Sequence, residues 1–374
     1  RGQAEETLQA ALALGRKLKE DEIIFTAQTS LVHLFSTGNR HAEAEAIAAA
    51  AEQLLPSVSD TLGLRVTLGH RDNFFGRFDQ ALQKLQQWRQ SVTGQQLPLT
   101  TVLTCDWTEA LALGGKGDYD QALTSLHKIL ATCKRIGDLW IQVRVLNTLG
   151  WIYGELQDHQ RAMEWNTRSV EMAREMNAPQ PEVENNARLN LGDNLLALGR
   201  QEEAEEQFQK VEQVVRNPQP QEQLNLWRYS QHFFHSYGEL WLARKDSDKA
   251  LAFADECLVL AEQSNSRKNI VKGWRLQGQA YCLQGKLAEA EAVLQKALTL
   301  AKEVGNPPQL WKTYQALGEL YEKQSATAQA RSAYDGALEV IEQVASRLQD
   351  QEIKQTFLAA KTVRELRSKV ASSQ

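Results

Sequence analysis

Proline is scarce in this sequence, eight in 374 residues, and methionine scarcer still, with three, Met163, Met172 and Met176. Cysteine numbers four, at Cys105, Cys133, Cys257 and Cys282, and no two form a C-x-x-C pair. The spacing carries no signature of a zinc or thioredoxin-like centre and predicts small, reduced core residues in a cytoplasmic protein. No apolar run approaches the ~20 residues that a membrane span needs, and no signal-peptide pattern opens the chain. Neither charge dominates: 42 Lys and Arg stand against 47 Asp and Glu, interspersed, for a net charge of −5. That pattern argues against a nucleic-acid partner, and the missing apolar run argues against a membrane partner. Cofactor and catalytic signatures are missing as well: no G-x-x-x-x-G-K-[ST], no G-x-G-x-x-G after a strand, no H-E-x-x-H and no G-x-S-x-G. Strand signals are absent too, since short runs such as Val143–Leu146 sit within longer helical periods.

What is present is helical periodicity, clearest from Trp274 to Leu300. Apolar residues recur three and four apart on either side of Gln284-Gly285, which predicts two helices joined by a tight turn. Trp274, Gly278 and Tyr281 share one face, and Ala290, Leu294 and Ala297 another. Tyr314, Gly318, Tyr321, Ala330, Tyr334 and Ala337 repeat the same offsets. The small residues leave room where two helices cross, and the large ones fill the space beside them. These residues resemble the tetratricopeptide repeat, W-x2-L-G-x2-Y followed by A-x3-F and A.

Small residues set the register of the second helices at Ala4, Ala44, Ala81, Ala122, Ala162, Ala204, Ala250, Ala290 and Ala330. The spacing is close to 40 residues against the usual ~34, similar to the helical repeat domains of large bacterial signalling ATPases and cyclases and of MalT-like regulators. The resemblance implies an all-α right-handed superhelix of about eight helix pairs. Within-unit turns are expected at Gly38, Gly76, Gly117, Asp158, Gly199, Asp246, Gly285 and near Ser325, and helix crossings at Gly150, Gly192, Gly238, Gly278 and Gly318. All eight prolines, Pro179 among them, are expected between units, where they break no helix. Residues 4–18 match a second helix whose partner is missing. With Arg1 at the start, this predicts a segment of a larger protein with an uncovered apolar end. The tail, 347–374, is expected to form two short capping helices around Ile353, Phe357, Leu358, Val363 and Leu366, leaving 1–346 as the repeat body.

In such a fold the first helix of each unit lines the inner wall. Counting one turn either side of the crossing gives Thr29, His33, Val66, His70, Trp107, Arg144, Asn147, Trp151, Asn186, Leu189, Asn190 and Asp193. It continues with His232, His235, Glu239, Lys272, Arg275, Gln279, Lys312, Gln315 and Glu319. Trp107, Arg144, Asn147, Trp151, Asn186, Asn190, His232, His235 and Arg275 are the candidate binding residues. Asn offers donors and an acceptor to any peptide backbone, Arg can fork onto a carboxylate, and Trp offers a flat wall with one donor. The same residues can instead form a solvated face of a wide groove, Asn147 and Asn190 can bond a neighbouring helix, and Trp107 and Trp151 can be core. Trp274, Tyr314 and Phe234 fall at core positions, and Trp140, Trp227 and Trp311 near helix starts that they would seal. His232, His235 and Glu239 share one helical face, but three ligands on one helix make a poor metal site, and a polar lining is the preferred reading. Arg144 and Asn190 are expected to be reachable by solvent. Together these features point to a non-catalytic binding module of a bacterial signalling protein, for a peptide, a protein or a small polar ligand. The alternatives are a scaffold that self-associates through its ends and a helical-repeat enzyme, which would need convergent acid and base groups.

Overall fold

The computed structural model describes residues 2–58, 62–94, 96–178 and 180–372. Nineteen α-helices and no strand occupy these residues. Helix α1 (Gly2–Leu18) stands alone. Eight antiparallel pairs follow: α2 (Asp21–Thr37) with α3 (His41–Glu52), α4 (Leu62–Phe75) with α5 (Phe78–Ser91), α6 (Leu99–Lys116) with α7 (Tyr119–Ile136), and α8 (Leu139–Glu155) with α9 (His159–Glu175). Next come α10 (Pro181–Ala197) with α11 (Gln201–Arg216), α12 (Leu226–Ala243) with α13 (Ser247–Gln263), α14 (Arg267–Leu283) with α15 (Leu287–Val304), and α16 (Pro307–Lys323) with α17 (Thr327–Arg347). Helices α18 (Gln351–Leu358) and α19 (Lys361–Ser372) pack on α17, burying Ile353, Phe357, Val363 and Leu366. No helix among the described residues is long and apolar enough to cross a membrane.

Each within-unit turn closes the same way. One residue takes a left-handed backbone, and the next donates its N–H to a carbonyl five residues back, as Asp118 N does to Leu113 O at 2.9 Å. This Schellman geometry satisfies carbonyls that the helix end would leave orphaned. Gly76, Gly117, Gly199 and Gly285 fill the left-handed position as the sequence suggests. In three turns it belongs instead to a neighbour of the expected residue. Asn39 takes it rather than Gly38, Gln157 rather than Asp158, and Lys245 rather than Asp246. Asp158 and Asp246 instead cap the second helix, their carboxylates accepting the N–H of Arg161 and Lys249. Pro181, Pro307 and Pro308 sit in the first turn of a helix, where no N–H is missed. Pro179 lies outside the described residues.

Packing follows the small residues. Ala44 through Ala330 are buried at the crossings, whereas Ala4 is exposed because no first helix faces it. A Cβ at Gly150, Gly192 or Gly318 would collide with Asn166, Phe208 or Tyr334 of the paired helix. Gly238 differs: its tightest neighbour is Leu276 of the following unit. Cys105, Cys133 and Cys257 are buried, and Cys282 is only half-buried.

The superhelix closes on itself. Trp227, at the start of α12, donates its indole N–H to Ser36 O at the end of α2, 3.1 Å away. Asn225 N donates to Thr37 O at 3.1 Å beside it. One unit on, Ser266 Oγ donates to Phe74 O at 3.0 Å, and one further, Asn306 Nδ2 donates to Gly115 O at 2.6 Å. Each bond joins the end of one first helix to the start of the first helix five units later. Near the start of α9, Arg161 pairs with Glu352 on α18, an ion pair that ties the last helices to the fourth unit. At Gly117 two demands coincide: φ is +83°, and a Cβ would lie 2.7 Å from Pro307 Cγ across this seam.

Two outcomes test this architecture. Gly278→Leu places carbon where even a Cβ would be 2.6 Å from Leu294 Cγ, so it should cost ~1–3 kcal/mol or more; a thermal melt equal to that of the parent would show the register to be wrong. Trp227→Ala should raise amide hydrogen exchange on both edges of the seam, around Ser36–Arg40 and around Asn225–Arg228, while leaving α8 and α9 unchanged. Exchange that rises around Asn225 alone would show that the turns of the superhelix do not brace each other.

Candidate functional site

Closure turns the inner wall into a lined cavity with two chambers. The smaller, about 140 Å³, is walled by α4, α6, α8, α10, α12 and α14. The larger, about 330 Å³, continues toward α16 and α19. Trp151, Glu155, Asn190, Asp193 and Lys272 line both. Arg144 and Asn190 are buried here, 7% and 8% exposed. The expectation that solvent reaches them freely is therefore corrected, because the seam walls off the side that an open groove would leave to water.

Arg144, Asn147, Trp151, Asn186, Asn190 and His232 come together in the smaller chamber, and His235 and Arg275 in the larger. The Arg144 guanidinium stacks on Trp140, 3.8 Å from the ring centroid, and donates to Trp140 O at 3.0 Å and Gln180 Oε1 at 3.3 Å. Trp140 is thus an exposed platform for Arg144 and not a loop seal. Glu182 lies 3.5 Å from Arg144 and 2.7 Å from Arg228, one carboxylate serving two arginines. Burial lowers both guanidinium groups below their ordinary range, against the pull of Glu182. Asn190 Nδ2 donates to Asn147 Oδ1 at 2.8 Å, so the amides of successive first helices form a chain. Trp107, for which the sequence leaves core and binding wall as alternatives, packs in the main cluster, donates to Thr148 Oγ1 at 2.9 Å and also lines the cavity. Trp151 is half-buried and lines both chambers.

His232 donates to Asp193 at 2.8 Å. Burial raises the Asp193 carboxyl, but His232, Lys272 and Ser236 outweigh it and hold it at about 2. Burial lowers His232, against the pull of Asp193. His235 lies 3.4 Å from Glu239, and burial followed by Lys272 pushes its imidazole down to about 4. Arg275 is 3% exposed and donates to Gln309 Oε1 at 2.9 Å.

Thr29, His33 and Val66 do not line the cavity; Val66 packs against Leu85, Trp88 and Cys105. Leu189 is fully buried with Phe208 and Phe233, since it faces the second helix. His70 packs against Phe74 and Trp107 beside the chamber. Sequence reasoning missed Glu155, Glu182, Arg228 and Lys268, all of which line the smaller chamber. Arg228 and Lys268 each lie one helical turn before a residue already placed inward, His232 and Lys272, and that spacing was readable. Among charged linings, six basic groups (Arg144, Arg228, Lys268, Lys272, Arg275 and Lys312) face four carboxylates (Glu155, Glu182, Asp193 and Glu239). The interior is therefore cationic within a chain of net charge −5.

His235 gives the cavity a pH signature. Its folded-state pKa lies below the ordinary 6.5, so the unfolded chain takes up a proton that the folded chain refuses. Its contribution to stability is complete above pH 6.5 and falls toward pH 4, by on the order of 1.4 kcal/mol per pH unit. His235→Gln should melt with a shallower dependence on pH between 6.5 and 5 than the parent; parallel curves would show that His235 is protonated without penalty.

Tetratricopeptide repeat models match residues 105–175 and 269–343, and a second such model matches 186–210. No curated protein sequence matches the chain. Solved structures share the fold at low identity. A Rap protein complexed with Competence and Sporulation Factor is 12% identical, with a TM-score of 0.57, over 94% of this chain and 99% of its own. The Rap conjugation gene regulator of the plasmid pLS20, in complex with the Phr* peptide, is 13% identical, with a TM-score of 0.63, over 86% and 96%. NprR in complex with its cognate peptide NprX is 13% identical, with a TM-score of 0.58, over 92% and 98%. With repeat models on three stretches and the helical-repeat fold shared along most of its length, this chain is a tetratricopeptide-type helical repeat protein.

Proposed function

We propose that this protein is a non-catalytic binding module, the sensor or scaffold segment of a larger bacterial signalling protein, that engages a peptide or protein partner through its inner wall. The observation that carries the reading is the amide chain Asn147–Asn190, flanked by Asn186, Arg144 and Trp151 on helices held side by side. Amides can pair with backbone of any sequence, the arginine with a carboxylate and the indole with an apolar side chain. Two neighbours of the same fold are described as peptide complexes, the plasmid regulator with Phr* and NprR with NprX. In this reading residues 1–346 are the binding body and 347–374 its cap, supported by α18 and α19 packing on α17. Because the seam closes the wall, a peptide enters from the open end of the larger chamber or when the seam parts.

Self-association through the ends is the second reading. Leu14 and Leu18 on α1 are 52% and 53% exposed on the face that a preceding helix would cover.

Peptides selected by display against the purified chain supply the test. Arg144→Ala with Asn190→Ala should weaken a selected peptide tenfold or more, ~1.4 kcal/mol. Glu182 keeps Arg228 as a partner, so the helical circular dichroism should persist. Unchanged affinity in a folded double variant would move the site off the inner wall.

A further inference from the structure

The smaller chamber has a feature that a peptide-backbone reading leaves unused. Lys268 and Lys272 lie one turn apart on α14, on the same face, and both project into it. Like charges at this spacing repel. Neither ammonium forms an ion pair among the described residues. Their counter-charges lie beyond ion-pair contact, Glu155 for both lysines and Asp193 for Lys272, and Lys268 sits 5.3 Å from the Trp151 ring centroid. Arg228 stands beside them, stacked 4.0 Å above Phe74 and sharing its one carboxylate with Arg144. Four basic groups thus face three carboxylates, Glu155, Glu182 and Asp193, and Asp193 also accepts a hydrogen bond from His232. Lys268, Lys272 and Arg228 are half-buried, and the excess of one basic group over the carboxylates is a positive charge that an anion would offset. The chamber's size bounds that partner. At about 140 Å³ it is close to the ~150 Å³ cavity that takes a benzene ring, room for a small anion or for one carboxylate-bearing end of a longer ligand.

We infer that this chamber binds a small anion bearing a phosphate or carboxylate group, clamped by Arg228, Lys268 and Lys272 beside the amides of Asn186 and Asn190. The inference rests on the reading that the inner cavity is where the protein binds, and it names a ligand class for one chamber of it. The seam builds the site: Phe74 comes from the second unit, Arg228 from the sixth and the two lysines from the seventh, and Ser266 donates to Phe74 O at 3.0 Å to join them. An anion seated there would bridge units that are distant in sequence and tighten the closure. Burial, then Lys272, also holds Lys268 down at about 8. A bound anion favours the charged form, so affinity should fall as pH rises through this value.

Thermal melts and calorimetry with glycerol 3-phosphate and with succinate, against chloride at matched ionic strength and pH 7, decide the matter. At least one of the two should raise the melting temperature beyond chloride, and which one does so assigns the phosphate or the carboxylate source. Lys268→Gln with Lys272→Gln should lose that response and weaken the anion at least tenfold, with the helical circular dichroism of the parent retained. For the parent, affinity should decline from pH 7 to pH 9. The inference is overturned if neither anion exceeds chloride, or if the double glutamine variant binds as well as the parent. A parent that ignores both anions yet loses its selected peptide on Arg144→Ala with Asn190→Ala would keep the binding-module reading and remove only this site.

Discussion

Lateral hydrogen bonds between units five apart are the constraint on which the interior depends. Taken singly each is ordinary, an indole, a hydroxyl or an amide donating to a carbonyl at the end of a helix. Their placement gives them weight. Those carbonyls belong to the last turn of a first helix, where the helix itself supplies no donor. The start of another first helix supplies one. A solenoid is stabilised chiefly by contacts between neighbouring units; here a second set of contacts ties each turn of the superhelix to the next, and an Arg161–Glu352 ion pair adds α18 to them.

Closure also changes the electrostatics. On an open wall Arg144, Lys268 and Lys272 would be solvated and their charges screened. Enclosed, each side chain needs a partner or shifts its protonation. Arg144 finds Trp140, Gln180 and Glu182. His232 finds Asp193, and His235 stays neutral. Lys268 and Lys272 have no carboxylate in ion-pair contact: Glu155 acts on both and Asp193 on Lys272 from farther off, with Trp151 beside Lys268. The balance of the wall is set by which groups closure leaves without a counter-charge.

Much of the fold was legible because its signals are local. The Ala register, the crossing glycines and the left-handed glycines act within a helix pair, and periodicity exposes them. The turns at Asn39, Gln157 and Lys245 were legible only as turns: the Schellman bond fixes where the left-handed residue must fall, and nothing in the residue type at those positions announces it. Of the inner wall, Arg144, Asn147, Asn190 and His232 followed from repeat spacing. Leu189 did not, because the boundary between inner wall and pair interface is a rotation of one residue. Arg228 and Lys268 escaped because the wall extends a full turn nearer the helix starts than an open groove would use.

The sequence by itself determined the helices, their pairing and the order in which first helices stand along the wall, since all three depend on contacts between residues fewer than about fifty apart. Only the tertiary structure decided that the wall encloses a cavity. Trp227 and Ser36, Ser266 and Phe74, and Asn306 and Gly115 meet across 191 or 192 residues. Such meetings depend on the small rotation between successive units summed over five of them. A rotation of that kind is set by the shape of every interface at once, and no single residue in the repeat records it.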